Sequence, residues 1–192
     1  MQIMKHLIIL ILIISPISGL LAQQEIVYFN HTQVGFIIGE ESEDNIQKAT
    51  IPSFQTINGI RIGANWGIGI GVGAEPFEYK VYPIFFSIHH FFNTKLKNSP
   101  FFAIKLGHGF SDSKKKIVNY GYGGEFKHKG GLMFNPEIGF RFKMFDFEMT
   151  LSGGYRFQRL KSKSSLNGIP SNYIYDHQVE YNRAAFAIGV VF

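Results

Sequence analysis

The last ten residues of the chain, Arg183 to Phe192, alternate with a period of two. Counting back from Phe192, the positions Val190, Ile188, Phe186 and Ala184 are all apolar. The other register holds Val191, Gly189, Ala187, Ala185 and Arg183, which apart from Val191 are small or charged. This is the pattern of a strand with one greasy face and one small or polar face, and it excludes a helical stripe. The same rhythm recurs upstream. Ile68, Ile70, Val72 and Ala74 alternate with Gly67, Gly69, Gly71 and Gly73, and Phe102, Ile104, Leu106 and Phe110 oppose Ala103, Lys105, Gly107 and Gly109. Leu132, Phe134, Ile138, Phe140 and Phe142 oppose Met133, Asn135, Glu137, Gly139 and Arg141. Phe147, Met149, Leu151, Tyr155 and Phe157 oppose Glu148, Thr150, Ser152, Gly154 and Arg156.

The alternation predicts eight strands, at 28–39, 54–63, 67–77, 79–92, 101–110, 130–142, 146–160 and 180–192. Eight strands close into a barrel whose interior is only wide enough for side chains, so the large apolar set overfills a lumen and belongs against lipid. A soluble barrel with the faces exchanged would expose a row of four glycines, which is odd for a solvent surface and natural inside a narrow barrel. The expected fold is therefore an all-β, eight-stranded antiparallel transmembrane β-barrel with up-and-down meander topology. An even strand count returns the chain to the side on which it began. The connections 64–66, 93–100 and 143–145 are then the turns of one end. The longer polar connections 40–53, 111–129 and 161–179 form the other end, together with a tight turn near Phe77-Glu78.

The first 22 residues read as a cleaved export signal. Lys5 and His6 precede the apolar run Leu7 to Ile14, followed by Pro16, Gly19 and the small residue Ala22. The run falls short of the roughly 20 apolar residues that a spanning helix needs. Residues 23–192 are then a single barrel domain of about 170 residues. The chain has no cysteine, so thiolate and disulfide chemistry are excluded. Its 20 Phe, 9 Tyr and 21 Gly suit an all-β shell with aromatic girdles. The net charge of +5 falls to +4 without Lys5. For an exported barrel this balance points to an anionic lipid surface; no nucleic-acid-reading motif is present. No cofactor is implied.

The pattern resembles the small Gram-negative outer-membrane β-barrels of the OmpA/OmpX type, the porin family or outer membrane protein beta-barrel domain. The resemblance is carried by Gly69-Ile70-Gly71-Val72-Gly73, by Pro83 to Phe92, by Phe102 to Gly107, by Glu137 to Phe142 and by the final strand. It implies outer-membrane localisation, a monomer, surrounding lipid and lipopolysaccharide, and assembly by the barrel-assembly machinery. Phe186, Ile188, Val190 and Phe192 would be the assembly signal. The resemblance implies no single activity, because members of the fold include adhesins, stabilisers, pores and enzymes.

Three sets of residues are candidates for function. Arg61, Lys105, Glu137, Arg141, Glu148, Arg156 and Arg183 fall on the inward face, with Glu75 near the outer rim. Ions in so narrow a space must be paired, so they read as a salt-bridge network that plugs the lumen; a polar conduit or small passive pore is the other reading. Ser87 and His89 have the two-residue spacing of a hydrolase pair on one strand, as lipid A acyl hydrolase-like chemistry would require, but their face is the lumen. No catalytic, cofactor-binding or metal-binding residue is assigned. Lys114, Lys115, Lys116, Lys127, Lys129, Lys161 and Lys163 gather in two outer connections, where ammonium groups would meet lipopolysaccharide phosphates. The expected role is structural, or binding and adhesion through the outer loops.

Overall fold

The computed structural model describes residues 25–39, 50–77, 79–92, 95–111, 114–119, 122–144, 147–167 and 173–192. The export signal expected at 1–22, and most of the connection 40–53, lie outside the described residues. Ten strands follow one another among the described residues: β1 (Ile26–Ile38), β2 (Thr50–Ile62), β3 (Trp66–Pro76), β4 (Lys80–Phe91), β5 (Asn98–Phe110), β6 (Lys114–Asn119), β7 (Tyr122–Lys129), β8 (Gly131–Met144), β9 (Phe147–Asn167) and β10 (Tyr173–Val191). Eight of them, β1–β5 and β8–β10, pair antiparallel in meander order. The ring closes where β1 meets β10, from His31 opposite Val191 to Ile38 opposite Ala184. Two backbone hydrogen bonds between Asn30 and Phe192, of 3.1 and 2.9 Å, extend the seam. Closure leaves no strand edge in the wall, which is the condition for a sheet to sit in hydrocarbon.

Alternation decides what each face meets. Ile138 and Ile70 are 67% and 64% exposed, whereas Lys105 and Arg156 are 0% exposed. The exposed apolar side chains come from all eight wall strands, which soluble monomers do not do. The wall is a membrane-facing surface. Trp66, His90 and Phe92 cluster at the turn end, with ring centroids 4.3 and 4.5 Å apart, as an interfacial aromatic group. At that end Gly63 takes a φ of 60° in the β2–β3 turn, a conformation that costs glycine least. The turn is tied to its neighbour by Asn65, whose side chain donates to the carbonyl of Phe91 at 2.8 Å.

Two expectations need correction. The connections 111–129 and 161–179 are largely strand rather than loop. β6 and β7 form a hairpin, β7 pairs with the upper part of β9, and β9 pairs with β10 up to Leu166 opposite Tyr173. A four-stranded sheet, β6–β7–β9–β10, thus projects beyond the wall. Its Lys- and Ser-rich residues carry no apolar alternation, but its backbone ladder forms without one. The second correction concerns large inward residues. Phe29, Phe85, Phe91 and Phe101 point into the lumen. Glycines make the room. The ring of Phe29 lies about 3.4 Å from where a Cβ on Gly67 would stand. A Cβ on Gly71 would collide with Phe85, and one on Gly139 would come within 2.7 Å of Phe101.

Two outcomes follow. Gly71→Val should destabilise the barrel by about 1–3 kcal/mol through overpacking. Combining it with Phe85→Ala should recover part of the loss, read from urea refolding of the purified barrel in detergent. Ile188→Arg, on the exposed face, should cost about 2–4 kcal/mol if it lies near the bilayer midplane, while the inward Ala187→Ser is mild. Equal stabilities for those two variants would reverse the assignment of faces.

Candidate functional site

The lumen is filled in layers, and the strands set their order. Along β1 the inward residues are Phe29, His31, Gln33 and Ile37; along β2, from the same end, they are Ile57, Gln55, Ser53 and Ile51. Apolar groups therefore lie on both sides of a polar band. At the loop end, Ile37, Ile51, Phe77, Val81, Leu160 and Tyr181 form one apolar cluster. Toward the turn end, Phe29, Ile57, Phe85, Phe91, Phe101, Ala103, Met133 and Val191 form the other.

The band between them holds two buried ion pairs joined by neutral side chains. Lys105 Nζ donates to Glu137 Oε1 at 2.6 Å and to Gln55 Oε1 at 3.0 Å. Gln33 Nε2 donates to both acceptors, at 3.2 Å to Gln55 and 3.4 Å to Glu137. Arg156 pairs with Glu75, whose Oε1 also accepts from Ser53 and Gln55, each at 3.0 Å. Glu75 is thus buried inside the lumen rather than at the outer rim, because its carboxylate turns inward to Arg156, Ser53 and Gln55. Gln55 links the two pairs, and Arg156 donates onward to Gln158 at 3.3 Å. The cavity beside Gln33, Gln55 and Glu137 is about 10 Å³, room for one water at most.

A third ionic group closes the turn end. Glu148 accepts from Arg61 at 3.1 Å and from Arg141 at 2.9 Å. Both guanidiniums face the ring of Phe91, 4.7 and 5.5 Å from its centroid, within cation–π range. Arg141 also donates to Ser99 at 3.0 Å. Arg183 sits near the loop end with its guanidinium 5.1 Å from the ring of Tyr181. All seven charges of the lumen set therefore occupy inward register positions. Gln33, Gln55 and Gln158 complete the network. They escaped sequence reading because a neutral amide at an inward position carries no signal until its neighbours across the barrel are known.

Ser87 and His89 lie in the turn-end half, fully buried, with Ser87 Oγ and His89 Nε2 2.8 Å apart. His31, 5.4 Å from His89 between ring centroids, bonds Thr150 at 2.9 Å. Phe29, Phe91 and Phe101 pack around the two imidazoles. Nucleophilic hydrolysis needs an orienting acid on the far ring nitrogen and access for substrate. His89 Nδ1 has no hydrogen-bond partner among the described residues, and the pair is walled off from both lipid and water. Among the described residues no group of three or more metal-ligating side chains occurs.

The seven outer lysines fall on the projecting sheet. Lys114 is opposite Lys127, Lys127 opposite Lys163, and Lys129 opposite Lys161; Lys116 is opposite Glu125. Lys115 is opposite Phe126. Lys129 and Lys161 are exposed.

No protein-family model matches the chain, and no curated protein matches it at a significant level. Solved structures do. The outer membrane protein OprG from Pseudomonas aeruginosa superimposes with a TM-score of 0.57 at 11% identity, over 85% of this chain and 94% of that one. Outer membrane protein AlkL in DMPC lipid bilayers gives a TM-score of 0.50 at 12% identity, over 88% and 90%. At such identities the likeness carries the fold, that of small outer-membrane barrels, and nothing finer.

The buried pairs make a direct prediction. Lys105→Met alone leaves Glu137 charged and dry, and should cost about 3–5 kcal/mol. Lys105→Met with Glu137→Met should be clearly more stable than the single variant. Equal stabilities in urea titrations would mean that the two groups are not coupled.

Proposed function

We propose that this chain is an integral protein of the Gram-negative outer membrane, with a closed lumen and a structural or binding role exercised at the loop end. The membrane assignment is supported by the apolar wall and by the likeness to OprG and AlkL. The closed lumen is supported by one observation above others. Between two apolar clusters, Lys105–Glu137 and Arg156–Glu75 are cross-linked through Gln55 into a single buried layer. A conduit needs continuous water, and here each of the four ions is paired with an opposite charge inside the wall. The binding role is supported by the projecting β6–β7–β9–β10 sheet, which extends past what wall closure requires. The Ser87–His89 pair, enclosed and without an acid among the described residues, does not favour an enzymatic reading.

Purified protein in planar bilayers should show no steady conductance. Disrupting the layer with Glu75→Ala plus Lys105→Ala should introduce small, flickering currents. Stable channels from the unaltered protein would overturn the closed lumen.

A further inference from the structure

The outward residues of β3 from Ile68 to Ala74, of β5 from Phe102 to Leu106 and of β8 from Leu132 to Phe142 are all apolar. β1 and β2 depart from this. Four neighbouring outward positions, Asn30 and Thr32 on β1 and Thr56 and Asn58 on β2, are polar. The register sets Asn30 opposite Asn58 and Thr32 opposite Thr56. Apolar and aromatic outward residues enclose them on every side. Tyr28 and Ile60 lie toward the turns, and Val34 and Phe54 toward the loops. On the adjoining strands Thr32 meets Val190, Thr56 meets Val72 and Asn58 meets Ile70.

An island of amides and hydroxyls in a hydrocarbon-facing wall has no water to bond and must satisfy its own donors and acceptors. This one does so with one exception. Asn30 Nδ2 donates to Asn58 Oδ1 at 2.9 Å and to Thr56 Oγ1 at 3.4 Å. Thr32 donates to Asn30 Oδ1 at 3.1 Å, and its hydroxyl oxygen lies 2.9 Å from that of Thr56. Tyr28, 64% exposed, donates to Asn58 Oδ1 at 2.6 Å. Two donors thus occupy the Asn58 carbonyl, and the exposed Asn58 amide nitrogen finds no acceptor among the described residues. The Tyr28 oxygen has committed its proton to Asn58 and keeps lone pairs that no described residue donates to. A free donor and a free acceptor therefore stand side by side at nearly the same depth in the wall. Acyl chains can complete neither.

A surface with donor and acceptor at one depth is complementary to itself. Two copies inserted the same way into one membrane pair through a two-fold axis along its normal, which brings groups of equal depth together. We propose that the outward face of β1 and β2 around Asn58 is the contact between two copies of this chain. Each Asn58 amide donates to the Tyr28 hydroxyl of the other copy, and the rim of Val34, Phe54, Ile60 and Ile70 packs against its equivalent. The proposal rests on the wall facing hydrocarbon. The resemblance to small outer-membrane barrels implies a monomer, so the mass of the protein in a membrane mimetic decides between the two.

The test is sedimentation equilibrium of the folded barrel in density-matched micelles, with heat-dependent gel migration as the check of folding. The unaltered protein should show a monomer–dimer equilibrium. Asn58→Leu and, separately, Tyr28→Phe each remove both symmetry-related hydrogen bonds. Two bonds of the strength that polar pairs show between membrane segments correspond to about tenfold, so each variant should raise the dissociation constant by about that factor. Ile138→Ala, on the opposite side of the ring, should leave it unchanged. A monomeric unaltered protein would overturn the proposal and would mean that a lipid carbonyl or a different protein satisfies Asn58. Dimers that persist undiminished in both Asn58→Leu and Tyr28→Phe would overturn it as well, since the island would then serve only the fold. The hydrocarbon placement is tested separately by a nitroxide at Ile104 in reconstituted barrel. Access to a water-soluble nickel chelate there would refute the placement, whereas oxygen access with a monomeric mass would refute the contact alone.

Discussion

Backbone pairing at the β1–β10 seam is the constraint on which the other features depend. In hydrocarbon each unpaired N–H or C=O costs several kcal/mol, so a sheet survives there only as a closed ring. Once the ring closes with eight strands, its interior is too narrow for water and large side chains together. That restriction explains the glycine row of β3, which gives Phe29 and Phe85 their space. It also explains why the inward charges occur as pairs bridged by amides. An ion left alone in that volume would cost more than its strand pairing returns.

The layered lumen connects the wall to the loop end. Gln55 joins Lys105–Glu137 to Arg156–Glu75, and Arg156 joins that group to Gln158. Gln158 donates to the carbonyls of Gly131 and Arg159, where the register against β9 shifts by one residue between Lys129–Lys161 and Met133–Gln158. A packing network inside the barrel thus fixes the register of a sheet outside it. The buried ions stabilise little by themselves, but their pairing favours one set of residues standing opposite one another across the ring.

Most of the wall was legible from sequence because β3, β5, β8 and β9 alternate over most of their length between large apolar and small or polar residues. The inward positions of Lys105, Glu137, Arg141 and Arg156 follow from the same count. The adjacent aromatics were harder. Phe85-Phe86, Phe91-Phe92 and Phe101-Phe102 each place one ring inside and one outside; the alternation reads Phe102 as outward, but rings as large as Phe101 and Phe85 were not expected in so narrow a lumen. The β6–β7 hairpin was read as loop because its lysines and glycines have no apolar period, although strand formation needs only backbone partners. The register shift between β7 and β8 is a single residue, visible only once both are laid against β9. The amide partners of the ions were hidden for the same reason: Gln33, Gln55 and Gln158 lie far apart in sequence and meet only across the closed ring.

The central claim is that this is a membrane barrel with a dry, plugged lumen, and the most direct measurement is the environment of consecutive residues along β8. Nitroxide labels placed singly from Leu132 to Phe142 in reconstituted barrel should respond with a period of two to dissolved oxygen and to a water-soluble nickel chelate. Labels at Phe134, Ile138 and Phe140 should be reached by oxygen and not by nickel, and those at Met133, Asn135 and Gly139 by neither. Nickel access at Asn135 and Gly139 would contradict the plug, and the opposite phase would contradict the assignment of lipid and lumen faces altogether.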